Sequence, residues 1–317
     1  MPAISVTAPG KIILFGEHAV VYNQPAIAAP VLQVKAKAII TANPRGRPGS
    51  VIIQAPNIGL ETELEALPER HPLAAVIRGT QRKLGLQRIP ACNIRITSTI
   101  PVAAGLGSGA AVSVALIRAL SGFLGHPLDS KSVSELAYQV EKIHHGTPSG
   151  IDNTVITFNL PVYFVRGQPI DKLRVPEPFT IVIGDTGIRS PTGITVADVR
   201  SGWQSAPDDY EQTFNSIGEI VQFARRAIEK GKPDELGELM KSNHMHLQRL
   251  GVSCQPLDHL VIAAYNAGAM GAKLSGGGRG GNMIALTSPD QAPAIAQALQ
   301  EAGATRTIIT EVKEKVT

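Results

Sequence analysis

The sequence has little of several features that mark specialised classes of protein. Of its 317 residues two are cysteines, 4% are aromatic and 18% are charged. Cys92 and Cys254 have neither metal-site nor CxxC spacing. A disulfide framework is therefore excluded, and we expect reduced thiols and a cytoplasmic location. No apolar run approaches the roughly 20 residues that a membrane span needs, so no membrane partner is expected.

Charge of one sign is also scarce. Thirty Lys and Arg against 26 Asp and Glu give a net charge of +4. The charges alternate along the chain, which argues against a nucleic-acid partner. Apolar residues make up 43%, enough for a packed core, and this excludes disorder and coiled coil. Glycine is abundant instead, with 31 residues against a usual share of about 7%.

The order of apolar and turn-forming segments predicts an α+β protein, with helices grouped on strands rather than strictly alternating. Strands are predicted in the first forty residues and over 91–99. The small apolar residues that follow the glycines after Pro101 predict a helix buried on all sides. A turn at 175–178 suggests two domains, 1–175 and 176–317.

A second helix is predicted after Asp129 and Ser130, which can cap it, with Glu141 on its last turn. The turn formers of HHGTPSGIDN, residues 144–153, predict a loop followed by strands, which places Asp152 in that loop. In the second half, GAKLSGGGRGGNMIAL (271–286) predicts strand, glycine loop, strand.

Glycines cluster at 105, 107 and 109 and again between 276 and 281. Both clusters match dinucleotide-binding patterns, but a strand follows the second, and the first lacks an acid at the end of a following strand. A phosphate loop explains Gly105 to Gly109 better, because backbone N–H groups and a helix N-terminus can surround phosphate oxygens. An ordinary tight turn remains an alternative for this loop alone. No Walker A pattern occurs, which excludes P-loop NTPases.

Charged residues in apolar surroundings add to this pattern. Glu141 and Asp152 suit metal-assisted phosphoryl transfer, in which one carboxylate binds Mg²⁺ and another lies beside the attacking hydroxyl. Lys11 and the pair Glu17-His18 lie in an apolar stretch, where unpaired charge is costly. They indicate either a functional site or a buried salt bridge.

Three segments together resemble the GHMP kinase superfamily: APGKIILFGEHAVVYNQPAIAAP (8–30), PVAAGLGSGAAVSVAL (101–116) and KLSGGGRGGNMIAL (273–286). EHAVVY followed by PAIA, and EKIHHGTPSGIDN, resemble its mevalonate branch. The resemblance implies a ribosomal protein S5 domain 2-like N-terminal domain and a ferredoxin-like C-terminal domain. It also implies ATP and Mg²⁺ as cofactors, and phosphorylation of the C5 hydroxyl of (R)-mevalonate to 5-phosphomevalonate in isoprenoid biosynthesis.

The resemblance further implies roles for individual residues. Asp152 matches the catalytic base, and Lys11 the lysine that holds it and favours the alkoxide. The metal-binding positions match Glu141 and Ser108. The ATP-binding positions match Pro101, Ala104, Gly105, Leu106, Gly107, Ser108, Gly109 and Ala110. The substrate-binding positions match Glu17, His18, Asp152, Thr192, Gly276 and Gly277.

One departure from the family pattern concerns the metal. The family usually carries two serines after GLG, the second being a ligand, whereas this chain has Ser108 and then Gly109. Either Ser108 takes that role or water completes the Mg²⁺ shell. The resemblance is compatible with a homodimer, which the family often forms. Alternative functions are another small-alcohol kinase (for phosphomevalonate or homoserine), diphosphomevalonate decarboxylase, and a non-catalytic ligand sensor.

Overall fold

A computed structural model describes residues 3–101, 105–145 and 148–314, without the side chains of residues 144 and 145. The strands are β1 Ala3–Phe15, β2 Ala26–Ala42, β3 Val51–Ala55, β4 Leu60–Glu63, β5 Cys92–Ser98, β6 Val162–Phe164, β7 Asp171–Lys172, β8 Phe179–Asp185, β9 Gly271–Ser275, β10 Asn282–Thr287 and β11 Arg306–Val312. The helices are α1 Pro72–Lys83, α2 Ser108–Phe123, α3 Ser130–His145, α4 Ile151–Phe158, α5 Thr192–Ser205, α6 Pro207–Glu229, α7 Leu236–Arg249, α8 Gln255–Asn266 and α9 Ala292–Glu301. This mixture of two sheets with grouped helices confirms the α+β prediction.

The chain forms two compact units that are not contiguous in sequence. The first contains the segment ending at Gly10, Val34–Pro101 and Gly107–Phe158. The second contains Lys11–Gln33, residues 105 and 106, and the chain from Asn159 onward. The division predicted between residues 175 and 176 stays a prediction.

In the first unit, helices α1 to α4 pack on one another. The sheet of this unit joins β4 to β3 and β3 to β5, and β5 pairs antiparallel with the second half of β2. Helix α2 contacts β5 and the three other helices, and most of its side chains are buried. This confirms the buried helix predicted after the glycines, because a helix of small apolar residues can be covered on every face.

Helix α3 begins as predicted, since the carboxylate of Asp129 accepts a hydrogen bond from the Ser132 N–H at 2.7 Å. The loop predicted over 144–153 is too long at both ends, because α3 runs to His145 and α4 includes residues 151–153. The strands predicted to follow it are replaced at first by α4, and β6 forms only after that helix. Helix α4 begins at Ile151 and places Asp152 in its first turn. The β-branched run after Asp152 suggested a strand, but packing on α2 and α3 outweighs that preference.

The second unit contains an antiparallel four-stranded sheet of order β11-β8-β10-β9. Helices α7 and α8 pack on β9, and α9 packs on β8 and β11. Strands β9 and β10 flank the glycine loop 276–281, which confirms the predicted strand, loop and strand. The first half of β2 pairs with β6, and β6 with β7. Within the described ranges no helix has the length and apolar character to cross a membrane.

Candidate active site

The second unit brings Lys11 to the predicted phosphate loop. Lys11 lies in β1 with its side chain only 4% exposed, and its backbone N–H donates to the Leu106 carbonyl at 3.0 Å. Gly105 has a φ of +78°, a conformation that glycine adopts without strain. A Cβ built on Gly276 would lie 4.0 Å from the Gly105 carbonyl oxygen. Residues 105 and 106, where the predicted phosphate loop begins, therefore lie beside both Lys11 and the second glycine cluster.

His18 joins the same assembly. Its Nε2 lies 3.0 Å from the Gly277 carbonyl oxygen. Burial is the main cause that lowers the pKa of His18 to about 4; the hydrogen bond to Gly277 opposes this shift, and the nearby Arg279 guanidinium adds to it. The ring is therefore neutral near pH 7, and because a carbonyl can only accept, Nε2 carries the proton.

Thr192, the first residue of α5, lies against the same glycine. A Cβ added at Gly277 would lie 2.9 Å from the Thr192 Oγ1, closer than real contacts allow. Glycine at this position thus lets the loop pass close to the start of α5. Sequence reasoning had placed His18, Thr192 and Gly277 in one site, and the structure brings these three together.

Glu17 forms a buried salt bridge with Lys273 of β9, and both side chains are fully shielded from solvent. Burial raises the pKa of Glu17, although the neighbouring Lys273 ammonium opposes this. Burial likewise lowers the pKa of Lys273, which Glu17 opposes. Of the two interpretations that the sequence left open for Glu17, the structure shows the salt bridge.

Sequence reasoning missed Lys273 as a partner. The signal was present, because Lys273 is a charge inside the apolar strand GAKLS, and a buried charge needs a partner. The same argument singles out Lys11 and Glu17 in the sequence. The identity of the partner was hidden, since Glu17 and Lys273 are 256 positions apart.

The first unit carries the remaining predicted residues. Gly107 precedes α2 in a left-handed conformation, and Ser108, Gly109 and Ala110 form the first turn of that helix. Glu141 lies on α3 and Asp152 on α4, both partly exposed. These helices pack on α2. Pro101 is partly exposed, and Ala104 lies outside the described residues.

The donors predicted for a metal fit Mg²⁺ in their chemistry. Ser108 offers a hydroxyl and Glu141 a carboxylate, and hard cations prefer oxygen ligands. Over the described ranges no cluster of three or more His, Cys, Asp or Glu residues could hold a metal. Mg²⁺ usually keeps several waters and binds one or two carboxylates together with substrate phosphates, so a sparse donor set of this kind suits it.

Comparisons with known proteins identify the family of this chain. The family models described as GHMP kinases N terminal domain and GHMP kinases C terminal match residues 71–159 and 224–305. The mevalonate kinase of Thermococcus sibiricus is 38% identical over 95% of this chain and 93% of its own. That of Pyrococcus horikoshii is 37% identical over the same shares of the two chains.

Solved structures of mevalonate kinases are also similar to this chain over almost its whole length. The L. major mevalonate kinase in complex with R-mevalonate has a TM-score of 0.85 and 31% identity, covering 99% of this chain and 97% of its own. A mevalonate kinase from methicillin-resistant Staphylococcus aureus has a TM-score of 0.73 and 30% identity, covering 98% and 99%. These matches confirm the predicted two-domain fold. The chain belongs to the GHMP kinase family and, within it, to the mevalonate kinases.

Proposed function

We propose that this chain transfers the γ-phosphoryl group of ATP to the C5 hydroxyl of (R)-mevalonate, giving 5-phosphomevalonate. The observation that carries the proposal is the assembly in the second unit. There Lys11 contacts Leu106, His18 contacts Gly277, and Gly276 lies beside Gly105, so that three segments distant in sequence meet. A relative with 31% identity was solved with R-mevalonate bound.

The residues of this chain supply positioning and charge. Phosphoryl transfer passes through a loose transition state that needs alignment and neutralisation more than covalent chemistry. Asp152 accepts the proton of the attacking C5 hydroxyl, and Lys11 favours the alkoxide that forms. Thr192 and His18 orient the substrate beside the glycine loop.

The backbone N–H groups of Gly105 to Gly109 and the N-terminus of α2 hold the ATP phosphates. Ser108 and Glu141 would hold Mg²⁺, with water or phosphate oxygens completing its shell. When bound, the cation neutralises negative charge on the phosphates. The absence of a serine at 109 leaves Ser108 as the hydroxyl ligand from the start of α2.

The decisive experiment replaces the proposed base. Asp152→Ala is expected to lower kcat with mevalonate by at least ~10²-fold, the lower range for a positioned acid or base, while ATP binding is retained. Asp234→Ala, on an exposed turn, is the matched control and should keep wild-type turnover. Turnover of Asp152→Ala within a few-fold of wild type would refute the assignment.

The alternatives are separated by their products. ADP release should be seen with mevalonate, and not with homoserine or 5-phosphomevalonate. No CO₂ should evolve from the diphosphate, which a decarboxylase would release. A ligand sensor would bind without turnover, but the acids and lysine that turnover needs are all present. Phosphorylation of another alcohol in preference to mevalonate would overturn the substrate assignment.

We further propose a homodimer in the cytoplasm, on the basis of the family and of the two cysteines that are not joined in a disulfide. Light scattering coupled to gel filtration would test the dimer. A mass equal to one chain at micromolar concentration would contradict it.

A further inference from the structure

We propose that Lys273 is a positioning residue of the substrate site, which holds Glu17, and through it the turn at His18, against the glycine loop. The inference deepens the proposed function and rests on it. Lys273 has no role among those that the family resemblance implied for this chain. It would act through Glu17 and not by touching the substrate.

Two segments that are distant in sequence are joined side by side within the second unit. One runs from the end of β1 into the turn at 17–18, and the other runs from β9 into the glycine loop. Side chains connect them at three places: Ser275 donates to the Ile13 carbonyl at 2.7 Å, Lys273 pairs with Glu17, and His18 donates to the Gly277 carbonyl at 3.0 Å. Of these three contacts, the one between Lys273 and Glu17 joins two charged groups.

The salt bridge is sealed from water. Lys273 and Glu17 have fully buried side chains, and Lys273 also donates to the Leu274 carbonyl at 2.6 Å. The second carboxylate oxygen of Glu17 has no hydrogen-bond partner within the described part of the chain. A buried ion cannot replace a lost partner with water, so removing Lys273 forces Glu17 to move or to change its protonation.

The strand end that carries the lysine is tied to neighbouring helices. Next to Lys273, the Leu274 N–H donates to His244 Nδ1 at 3.3 Å, and His244 Nε2 lies 3.1 Å from Asp258. These contacts fix the end of β9 to α7 and α8. Glu17, in contrast, directly precedes His18, whose φ of +61° is unfavourable for a residue with a side chain. Lys273 therefore serves as the fixed point, and the strained turn depends on it.

The first experiment is Lys273→Met. Because misplacement of a substrate-orienting group costs rate, we expect kcat/KM for mevalonate to fall by ~10²-fold. Most of the loss should appear as an increase of about tenfold or more in KM for mevalonate, with less than about threefold change in KM for ATP. Lys232→Met is the control, because it removes a lysine from an exposed ion pair with Glu235. An unchanged KM for mevalonate in Lys273→Met would overturn the proposal, even if the melting temperature fell.

The second experiment is the double variant Glu17→Gln with Lys273→Met, which removes both charges. Charge balance should restore much of the melting temperature lost in Lys273→Met. The hydrogen bond that sets the position of residue 17 is still absent, so KM for mevalonate should stay above wild type. A double variant with wild-type KM would show that Lys273 only balances charge, and would overturn the positioning role.

The two experiments also cover the other outcomes. If Lys273→Met does not fold and the double variant does, the pair is coupled, and the KM of the double variant decides the positioning role. A double variant no more stable than Lys273→Met would contradict the coupling. If the wild-type chain does not phosphorylate mevalonate, the proposed function fails, whereas the unfolding measurements still report on the pair.

Discussion

His18 combines two features that are costly on their own. Its φ of +61° with a ψ of −50° lies outside the regions that residues with a side chain commonly adopt. Its ring is buried and donates to the Gly277 carbonyl. Strain of this kind persists only where the surroundings enforce it, and it tends to occur at functional sites. The hydrogen bond to Gly277 is one such constraint.

The neutral state of His18 makes the stability of the protein depend on pH. The pKa of His18 in the folded chain, about 4, is below the ordinary 6.5. Above pH 6.5 the ring is neutral in both the folded and the unfolded chain, so the protein has its full stability there. As the pH falls from 6.5 towards 4, the unfolded chain takes up a proton that the folded chain does not. In this range His18 should lower the free energy of unfolding by about 1.4 kcal/mol for each pH unit.

Urea unfolding of wild type and His18→Asn at pH 7, 6 and 5 measures this effect. Asn does not titrate, so the free energy of unfolding of His18→Asn should fall less steeply with decreasing pH than that of wild type. His244 and His246 titrate in both proteins, and their contributions cancel in the comparison. Equal slopes for the two proteins would show that His18 is not held neutral.

At the scale of elements, the start of α2 contains two glycines with different requirements. Gly107 has a φ of +72° and caps the helix, whereas Gly109 lies inside its first turn. A Cβ on Gly109 would meet nothing within 4 Å. Position 109, where the family usually has serine, therefore has room for a side chain.

The same substitution at both positions tests this difference. Gly109→Ser should leave stability unchanged or raise it by up to about 0.5 kcal/mol, because serine is the better helix former. Gly107→Ser should cost about 1 to 2 kcal/mol, because its backbone is left-handed. Thermal unfolding of the two variants gives both values. If Gly109→Ser lost as much stability as Gly107→Ser, the conclusion that position 109 has room for a side chain would be wrong.

The glycine loop 276–281 has a stricter steric requirement. A Cβ on Gly278 would lie 1.9 Å from the Val252 carbonyl oxygen, which also accepts the Arg279 N–H at 2.8 Å. Gly85 has a similar positive φ but open space around it. A side chain at either position would strain the backbone to a similar degree, but only at Gly278 would it also overlap a neighbouring atom.

We expect Gly278→Ala to destabilise the protein by about 2 to 3 kcal/mol more than Gly85→Ala, since the loop must shift to relieve the overlap. The displaced loop should also lower kcat/KM for mevalonate by ~10²-fold. Gly85 lies after α1, outside the proposed site, so Gly85→Ala should keep wild-type turnover. Equal losses in both variants would mean that the loop accommodates the side chain.

Elements defined by local pattern were predictable, and those defined by packing were not. The buried helix α2 and the strand, loop and strand at 271–286 follow from apolar runs and glycines that are adjacent in sequence. Helix α4 does not, because its β-branched residues favour a strand and only burial against α2 and α3 makes them helical. The role of Asp152 stays a prediction, and its predicted place in a loop is wrong, because it lies in the first turn of α4.

At the scale of the whole molecule, the long-range pairings could not be read from the sequence. The second unit combines Lys11–Gln33 with the chain beyond Asn159, and the segment between them belongs mostly to the first unit. Local patterns give no information on which distant segments meet. The family resemblance placed Glu17 and Gly277 in one site, but the pairing of Glu17 with Lys273 required coordinates.

The charges around His18 bear on which substrate the chain binds. Two cations nearby already have partners: Lys273 binds Glu17, and Arg279 binds Asp198 and the Gly251 carbonyl. A substrate that already carries a phosphate needs additional cations. These two would have to leave their present partners, which favours mevalonate over its 5-phosphate.

Ligand-induced thermal stabilisation tests this preference without turnover. A ligand at 100 times its Kd stabilises the folded chain by about 2.7 kcal/mol, so (R)-mevalonate should raise the melting temperature in a concentration-dependent way. At equal concentration 5-phosphomevalonate should raise it less. A larger shift with 5-phosphomevalonate than with mevalonate would contradict the charge argument and would favour a phosphomevalonate kinase.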